Sequence, residues 1–167
     1  MGTRRNALLG MGALTGLAAG LRGLFASTPA QAAAPPHAYE VSHTEAEWRK
    51  LLSSDQFYVL RKAGTERPFS SPLDKEKRAG VFQCAGCALP LFSSKTKFES
   101  GTGWPSFWQP LDKAAVDEDT DVTLGMRRVE VLCHRCGGHL GHVFEDGPKP
   151  TGLRYCMNGM ALKFTPV

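Results

Sequence analysis

Apolar and polar positions along the chain change their period near residue 64. Upstream, Ser42-x-x-Glu45 and Thr44-x-x-Glu47 both have the form of a capping box, and they precede Trp48, Leu51 and Leu52 at helical spacing. This predicts a short amphipathic helix over 44–53, with a second through Gln56 to Lys62. Downstream of Gly64 the apolar runs shorten and turn residues separate them: Val81-Phe82-Gln83, Leu89 to Phe92, Val122 to Leu132, Val143-Phe144, Leu153-Arg154-Tyr155 and Ala161 to Phe164. Asp146-Gly147 and Asn158-Gly159 are tight-turn pairs, the second flanked by two of these runs, as in a hairpin. The pattern predicts a mainly antiparallel β domain with a small helical N-terminal part. The 18 Gly and 11 Pro agree with many turns and short strands.

The first forty residues follow another rule. Arg4 and Arg5 precede an uncharged stretch, Asn6 to Leu21, that holds four glycines and is too short to span a bilayer. Arg22 and the small-residue run Ala30-Gln31-Ala32-Ala33-Ala34 follow. This is the layout of an export signal, and the arginine pair resembles the twin-arginine type. The expectation is a signal peptide at 1–32, a Pro-containing linker at 33–43 and a folded domain at 44–167. The partner implied is the twin-arginine export machinery, and the place of work is the periplasm or another exported location.

Charge acquires its meaning from this division. The formal net charge is +4, yet Arg4, Arg5 and Arg22 are the only charged residues before Glu40. Removing those three of the 20 basic residues leaves 17 against 16 acidic ones. So balanced a domain carries no electrostatic footprint for nucleic acid. With 167 residues, 42% of them hydrophobic, the chain has the material for one domain with a real core.

Five cysteines carry the candidate chemistry. Cys84-x-x-Cys87 and Cys133-x-x-Cys136 supply four thiolates in two short loops, the spacing of a tetrahedral Zn²⁺ site. Gly86, Gly137 and Gly138 are positioned to ease the tight backbone of such loops. Two disulfides, or a redox dithiol in one pair, are the competing readings. A closed Cys₄ site leaves no open coordination position, so one Zn²⁺ per chain would be structural. Cys156 is left over. If 153–157 is a strand, Arg154 and Cys156 share one face and Tyr155 and Met157 the other. A guanidinium beside a thiol favours the thiolate. Asn158 either continues that face or serves the turn with Gly159. His139 and His142, set among glycines, suit proton handling near neutral pH. The loop Gly101 to Trp108 places two indoles and a phenyl where they can wall an apolar pocket.

Together these residues resemble the B-type methionine sulfoxide reductases. The resemblance runs from about Trp48 to Phe164 and rests on Gly64-Thr65-Glu66-Arg67-Pro68-Phe69, Cys84-Ala85-Gly86-Cys87, Phe98 to Phe107, His139-Leu140-Gly141-His142-Val143-Phe144 and Arg154-Tyr155-Cys156-Met157-Asn158. It implies two antiparallel sheets joined by a Cys₄ zinc site, and reduction of methionine-(R)-sulfoxide in oxidised proteins or peptides. It also implies a Cys156 nucleophile that becomes a sulfenic acid, and a thiol as reductant. His139, His142 and Asn158, with an ordered water, would bind and protonate the sulfoxide oxygen. Arg154 would support the thiolate, and Trp104 and Phe144 would bind substrate. Thr102 stands where many members carry a resolving Cys, and Gly159 stands where Ser is expected. The chain is expected to act as a monomer. Two other functions compete: a non-catalytic zinc-ribbon binding module, and a Cys–His hydrolase, for which no orienting carboxylate is evident in the sequence.

Overall fold

The computed structural model describes residues 38–167, so the signal-peptide expectation and the first part of the linker, 33–37, lie outside the described residues. No helix among those residues is long and apolar enough to cross a membrane. Helix α1 spans Glu45–Leu51 and α2 spans Ser54–Lys62. Thr44 and Glu47 close the expected capping box on α1, and Ser53 with Gln56 closes a second on α2 that places its start two residues before the expected one. Trp48 and Leu52 turn inward, whereas Leu51 faces solvent.

Nine strands follow among the described residues: β1 Gly80–Cys84, β2 Pro90–Ser93, β3 Lys97–Phe98, β4 Ser106–Phe107, β5 Val116–Asp121, β6 Arg128–Cys133, β7 His139–Phe144, β8 Arg154–Met157 and β9 Leu162–Pro166. They form two antiparallel sheets, one ordered β2-β1-β9 and one ordered β3-β4-β8-β7-β6-β5. Aromatic side chains fill the space between them. Phe82 and Phe92 from the smaller sheet meet Phe107 of the larger at ring-centroid distances of 4.9 and 4.5 Å. All three are fully buried, each removing enough apolar surface to contribute about 2–3 kcal/mol.

Two sequence expectations need correction. The run Val122 to Leu132 is not one strand: it is a 3₁₀ turn, Thr123–Gly125, followed by β6, and the turn joins β6 to β5. Strand β5 itself, Val-Asp-Glu-Asp-Thr-Asp, carries no alternating apolar pattern. It is the outer strand of the large sheet, where charge is tolerated because one face of its backbone ladder is open. Likewise, Asn158-Gly159 is not a hairpin turn. A 3₁₀ turn, Gly159–Ala161, carries the chain from β8 in the large sheet to β9 in the small one.

Candidate active site and metal centre

The four paired cysteines converge where the two sheets meet. Cys84 ends β1 and Cys133 ends β6, so each sheet contributes one loop. The loops share one construction. Cys84 N–H donates to Leu89 O and Ala88 N–H to Cys84 O, both at 2.9 Å. In the same relative positions, Cys133 N–H donates to Gly138 O at 2.9 Å and Gly137 N–H to Cys133 O at 2.7 Å. The residue four after each leading Cys is left-handed: Gly137 at φ +65°, but Ala88 at φ +59° in the first loop. Gly86, expected to ease that loop, is not among the left-handed residues. Arg61 of α2 donates to Cys136 O at 2.9 Å, tying the helices to the centre.

All four sulfurs lie within 4.8 Å of one another, with Cys84–Cys136 at 3.7 Å and Cys87–Cys133 at 3.5 Å. A tetrahedron with metal–sulfur bonds of about 2.3 Å has edges of about 3.8 Å, so the donor set fits a single thiolate-bound ion. The cysteines are free, so the two-disulfide reading does not hold. Their neighbours push Cys84 and Cys133 up and pull Cys87 and Cys136 down: packed thiols share protons until a cation displaces them.

Cys156 lies elsewhere, on the face of the large sheet turned away from the aromatic core. Strand β8 alternates as expected, with Tyr155 and Met157 buried in the core. Across the ladders, Cys156 pairs with His142 of β7 and with Ser106 of β4. Gly141 lets β7 pass this close, because a Cβ there would sit 2.1 Å from Cys156 O. A cleft opens here, lined by Thr65, Trp104, Arg128, His142, Phe144, Cys156 and Asn158, with Gly141 in its floor. Burial pushes the Cys156 thiol above its ordinary value, while Thr102, Arg154 and Ser106 pull it down. The guanidinium thus acts in the expected direction without prevailing. Arg154 is held by two 2.8 Å bonds to Asp146 and lies 4.4 Å from the centre of the Phe144 ring.

The histidines share a face for a reason the alternation of a strand does not supply. Residues three apart normally point to opposite sides. The β6–β7 ladder slips between Val131–Gly141 and Leu132–His139, leaving Leu140 as an extra residue. This bulge brings the two imidazoles within 5.5 Å. They are not equivalent. His142 lines the cleft, and its Nε2 bonds Asp121 Oδ2 at 2.8 Å. His139 is buried behind it, lining a neighbouring polar cavity, with Nδ1 on Glu130 and Nε2 without a partner. Thr123, His142 and Arg128 all bond to Asp121 and hold its carboxyl well below the usual range. Burial lowers His142 despite that carboxylate, so the resting imidazole is neutral. No local pattern in the sequence points to Asp121 or Glu130; Asp121 supplies the orienting carboxylate that the sequence does not show, so that argument against hydrolase chemistry falls.

Glu66 organises the other wall. Its carboxylate accepts from Gly159 N–H at 2.6 Å and Met160 N–H at 2.9 Å. Its own N–H donates to Asn158 Oδ1 at 3.0 Å, and its carbonyl accepts from Trp104 Nε1 at 3.2 Å. Asn158 Nδ2 donates to Leu140 O at 3.2 Å, which leaves one amide hydrogen for the cleft. Asn158 therefore serves both face and turn.

A thiol, an imidazole backed by a carboxylate, an amide and an indole around one cleft are now matched by kinship. The SelR domain family matches residues 52–166. The chain belongs to the B-type (MsrB) methionine sulfoxide reductase family. The peptide methionine sulfoxide reductase MsrB of Bradyrhizobium diazoefficiens is 57% identical over 127 residues, covering 76% of this chain and 91% of that protein. The enzyme of the same name from Leptospira interrogans is 53% identical over 126 residues, with 75% and 96% covered. That of Methanosarcina barkeri is 56% identical over 124 residues, with 74% and 87% covered. MsrB membership does not favour the zinc-ribbon module.

Proposed function

We propose that this chain is a peptide-methionine (R)-S-oxide reductase whose nucleophile is Cys156. The observation that carries the reading is the convergence of Cys156, His142, Asn158 and Trp104 on one cleft in a member of the MsrB family. The substrate is oxidised methionine in proteins or peptides. Trp104 and Phe144 offer apolar walls to the methionine methyl and side chain, and the Asn158 amide and His142 imidazole face the sulfoxide oxygen.

The chemistry balances within the cleft. The Cys156 thiol passes its proton to His142, whose imidazolium is stabilised by Asp121. The thiolate attacks the sulfoxide sulfur to form an S–S bond, the proton on His142 goes to the sulfoxide oxygen, and that hydroxyl passes to Cys156 Sγ as the S–S bond breaks. Methionine leaves with its sulfur reduced by two electrons, and Cys156 is oxidised by two to the sulfenic acid. Two equivalents of an external thiol then return Cys156 to the thiol, releasing water and a disulfide. His139 acts from behind His142: through Glu130 it keeps the imidazole pair in place. The family relation favours this reduction over the Cys–His hydrolase alternative, which the same Asp121–His142 pair would otherwise serve.

The ion fitted by Cys84, Cys87, Cys133 and Cys136 is Zn²⁺, supported by four soft thiolates in tetrahedral spacing. It would bind the two sheets together. Export is supported by the Arg4-Arg5 pair, the weakly hydrophobic stretch and the Ala30-x-Ala32 site, and a folded, metal-loaded domain is the cargo that the twin-arginine route suits. The site of action is then the periplasm, and the protein acts as a monomer. Turnover of separated R and S sulfoxides of a blocked methionine, with a chemical dithiol as reductant, tests the assignment. Only the R epimer is consumed if it holds; ester hydrolysis without sulfoxide reduction would replace it with the hydrolase reading.

A further inference from the structure

Beside Cys156 the structure holds a row of hydroxyl groups that the mechanism above does not use. Thr102 Oγ1 lies 3.8 Å from Cys156 Sγ. Ser100 Oγ lies 2.8 Å from Thr102 Oγ1 and 2.7 Å from Ser106 Oγ. Ser106, fully buried and paired with Cys156 across the β4–β8 ladder, donates to Trp104 O at 3.0 Å. The row therefore starts at the reactive sulfur and ends on the backbone of the aromatic loop.

Hydrogen counting fixes what this row can do. Each hydroxyl has one hydrogen and can accept two. With Ser106 donating to Trp104 O, Ser100 donates to Ser106 and Thr102 donates to Ser100. Thr102 then turns a lone pair to the sulfur, the right partner for an S–H. When the sulfur is ionised, Thr102 must donate to it, Ser100 turns its hydrogen to Thr102, and Ser106 turns its own from Trp104 O to Ser100. Only O–H rotations separate the two arrangements; no heavy atom moves. We infer that Thr102, Ser100 and Ser106 form a reversible hydroxyl chain that stabilises the thiolate of Cys156 as the proton leaves.

The need for such a chain follows from the surroundings. The charged and titratable neighbours of Cys156 are Arg154 on its own strand and His142 on β7, with Arg128 of β6 and Asp121 of β5 behind the imidazole. Arg154 gives Nε and Nη2 to Asp146 and lowers the thiol without outweighing burial, and His142 is neutral at rest. On the β4 side the neighbours are hydroxyls, and donors to an anion are the stronger kind of hydrogen bond. After burial, Thr102 has the largest effect on the thiol and pulls it down, in accord with donation to the anion. Thr102 is thus a working residue and more than a gap where a second thiol is missing.

The test is the pH dependence of Cys156 alkylation by iodoacetamide in the full, metal-loaded chain, followed by mass spectrometry of the peptide that carries Cys156. Thr102→Val keeps the volume and removes the hydroxyl: its midpoint should rise by about one unit, a roughly tenfold slower reaction on the acid limb. Thr102→Ser should restore the wild-type midpoint. Ser100→Ala, which does not touch the sulfur, should raise it by less than Thr102→Val. A wild-type midpoint in Thr102→Val, or an equal displacement in Thr102→Ser, would overturn the inference by showing that packing alone matters. A wild-type midpoint in Ser100→Ala would overturn the chain as a unit. The inference rests on Cys156 as nucleophile, but alkylation needs no sulfoxide. A flat Thr102→Val result therefore refutes the chain, whereas turnover by Cys156→Ser protein refutes the nucleophile.

Discussion

Replacing Glu66 by Ala removes a side chain that does not line the cleft yet supports one of its walls. Glu66 is 9% exposed, and its carboxylate receives two backbone N–H groups, Gly159 at 2.6 Å and Met160 at 2.9 Å. These belong to the 3₁₀ turn that carries the chain from β8 to β9, and in the Ala variant both lose their acceptor. Each orphaned, desolvated donor costs about 1–3 kcal/mol, so the variant should lose about 2–6 kcal/mol. At about 4 °C per kcal/mol for a domain of this size, its Tm should fall by about 8–24 °C. Glu66→Gln keeps one acceptor and turns an NH₂ toward the other donor, so it should lose about half as much. Activity should suffer too. The turn adjoins Asn158, and a displacement of about an ångström at a positioning group lowers turnover on the order of tenfold or more. Thermal melts followed by circular dichroism, beside kcat on the R sulfoxide at a temperature where both variants are folded, read the two effects. A Glu66→Ala protein melting within about 2 °C of wild type would refute the reasoning, because those N–H groups would then have other partners.

Three further outcomes follow from the site. Cys84→Ser or Cys133→Ser, or strong chelation of the wild-type protein, should unfold the domain because metal binding is folding free energy here, and metal analysis should find about one Zn²⁺ per folded chain; a stable metal-free fold would contradict this. His142 has a folded value depressed below 6.5, mainly by burial. Its contribution to stability is therefore present above about pH 6.5 and lost as pH falls through the lower folded value, and His142→Gln should flatten that part of a urea-midpoint-versus-pH curve. Thr102→Cys should divert the oxidised enzyme into a disulfide with Cys156, given the present 3.8 Å between Thr102 Oγ1 and Cys156 Sγ; a non-reducing peptide map that finds the two thiols free after a single turnover would refute the placement.

Local chemistry in the sequence carries most of the fold. Thr44 and Glu47 mark α1 because a capping box is contained in four residues, and the Cys-x-x-Cys pairs mark the metal centre because each loop is local. Strand β5 was invisible because its stability comes from pairing along β6, with Val116 the lone apolar side chain in Val-Asp-Glu-Asp-Thr-Asp. Asp121 was hidden with it. Its local signal, an Asp two residues before Thr123, marks a turn and says nothing of His142, 21 residues away. The Asn158-Gly159 pair suggested a hairpin because the partner that holds the turn open, Glu66, lies 93 residues upstream. The face that Cys156 takes was legible by alternation with Tyr155. The direction of its titration was not, since burial is a tertiary property that outweighs Arg154.

The measurement closest to the central claim is a single turnover without reductant. Metal-loaded protein is mixed with the R or the S sulfoxide of a blocked methionine, then quenched and digested. Methionine formation is measured together with the mass of the peptide carrying Cys156. The account predicts about one methionine per chain from the R epimer alone, with one oxygen gained on Cys156 and captured by a dimedone-type reagent, and the four metal-site cysteines unchanged. Equal consumption of the S epimer, product formed by Cys156→Ser protein, or oxidation appearing on a metal-site cysteine while Cys156 stays reduced would contradict it.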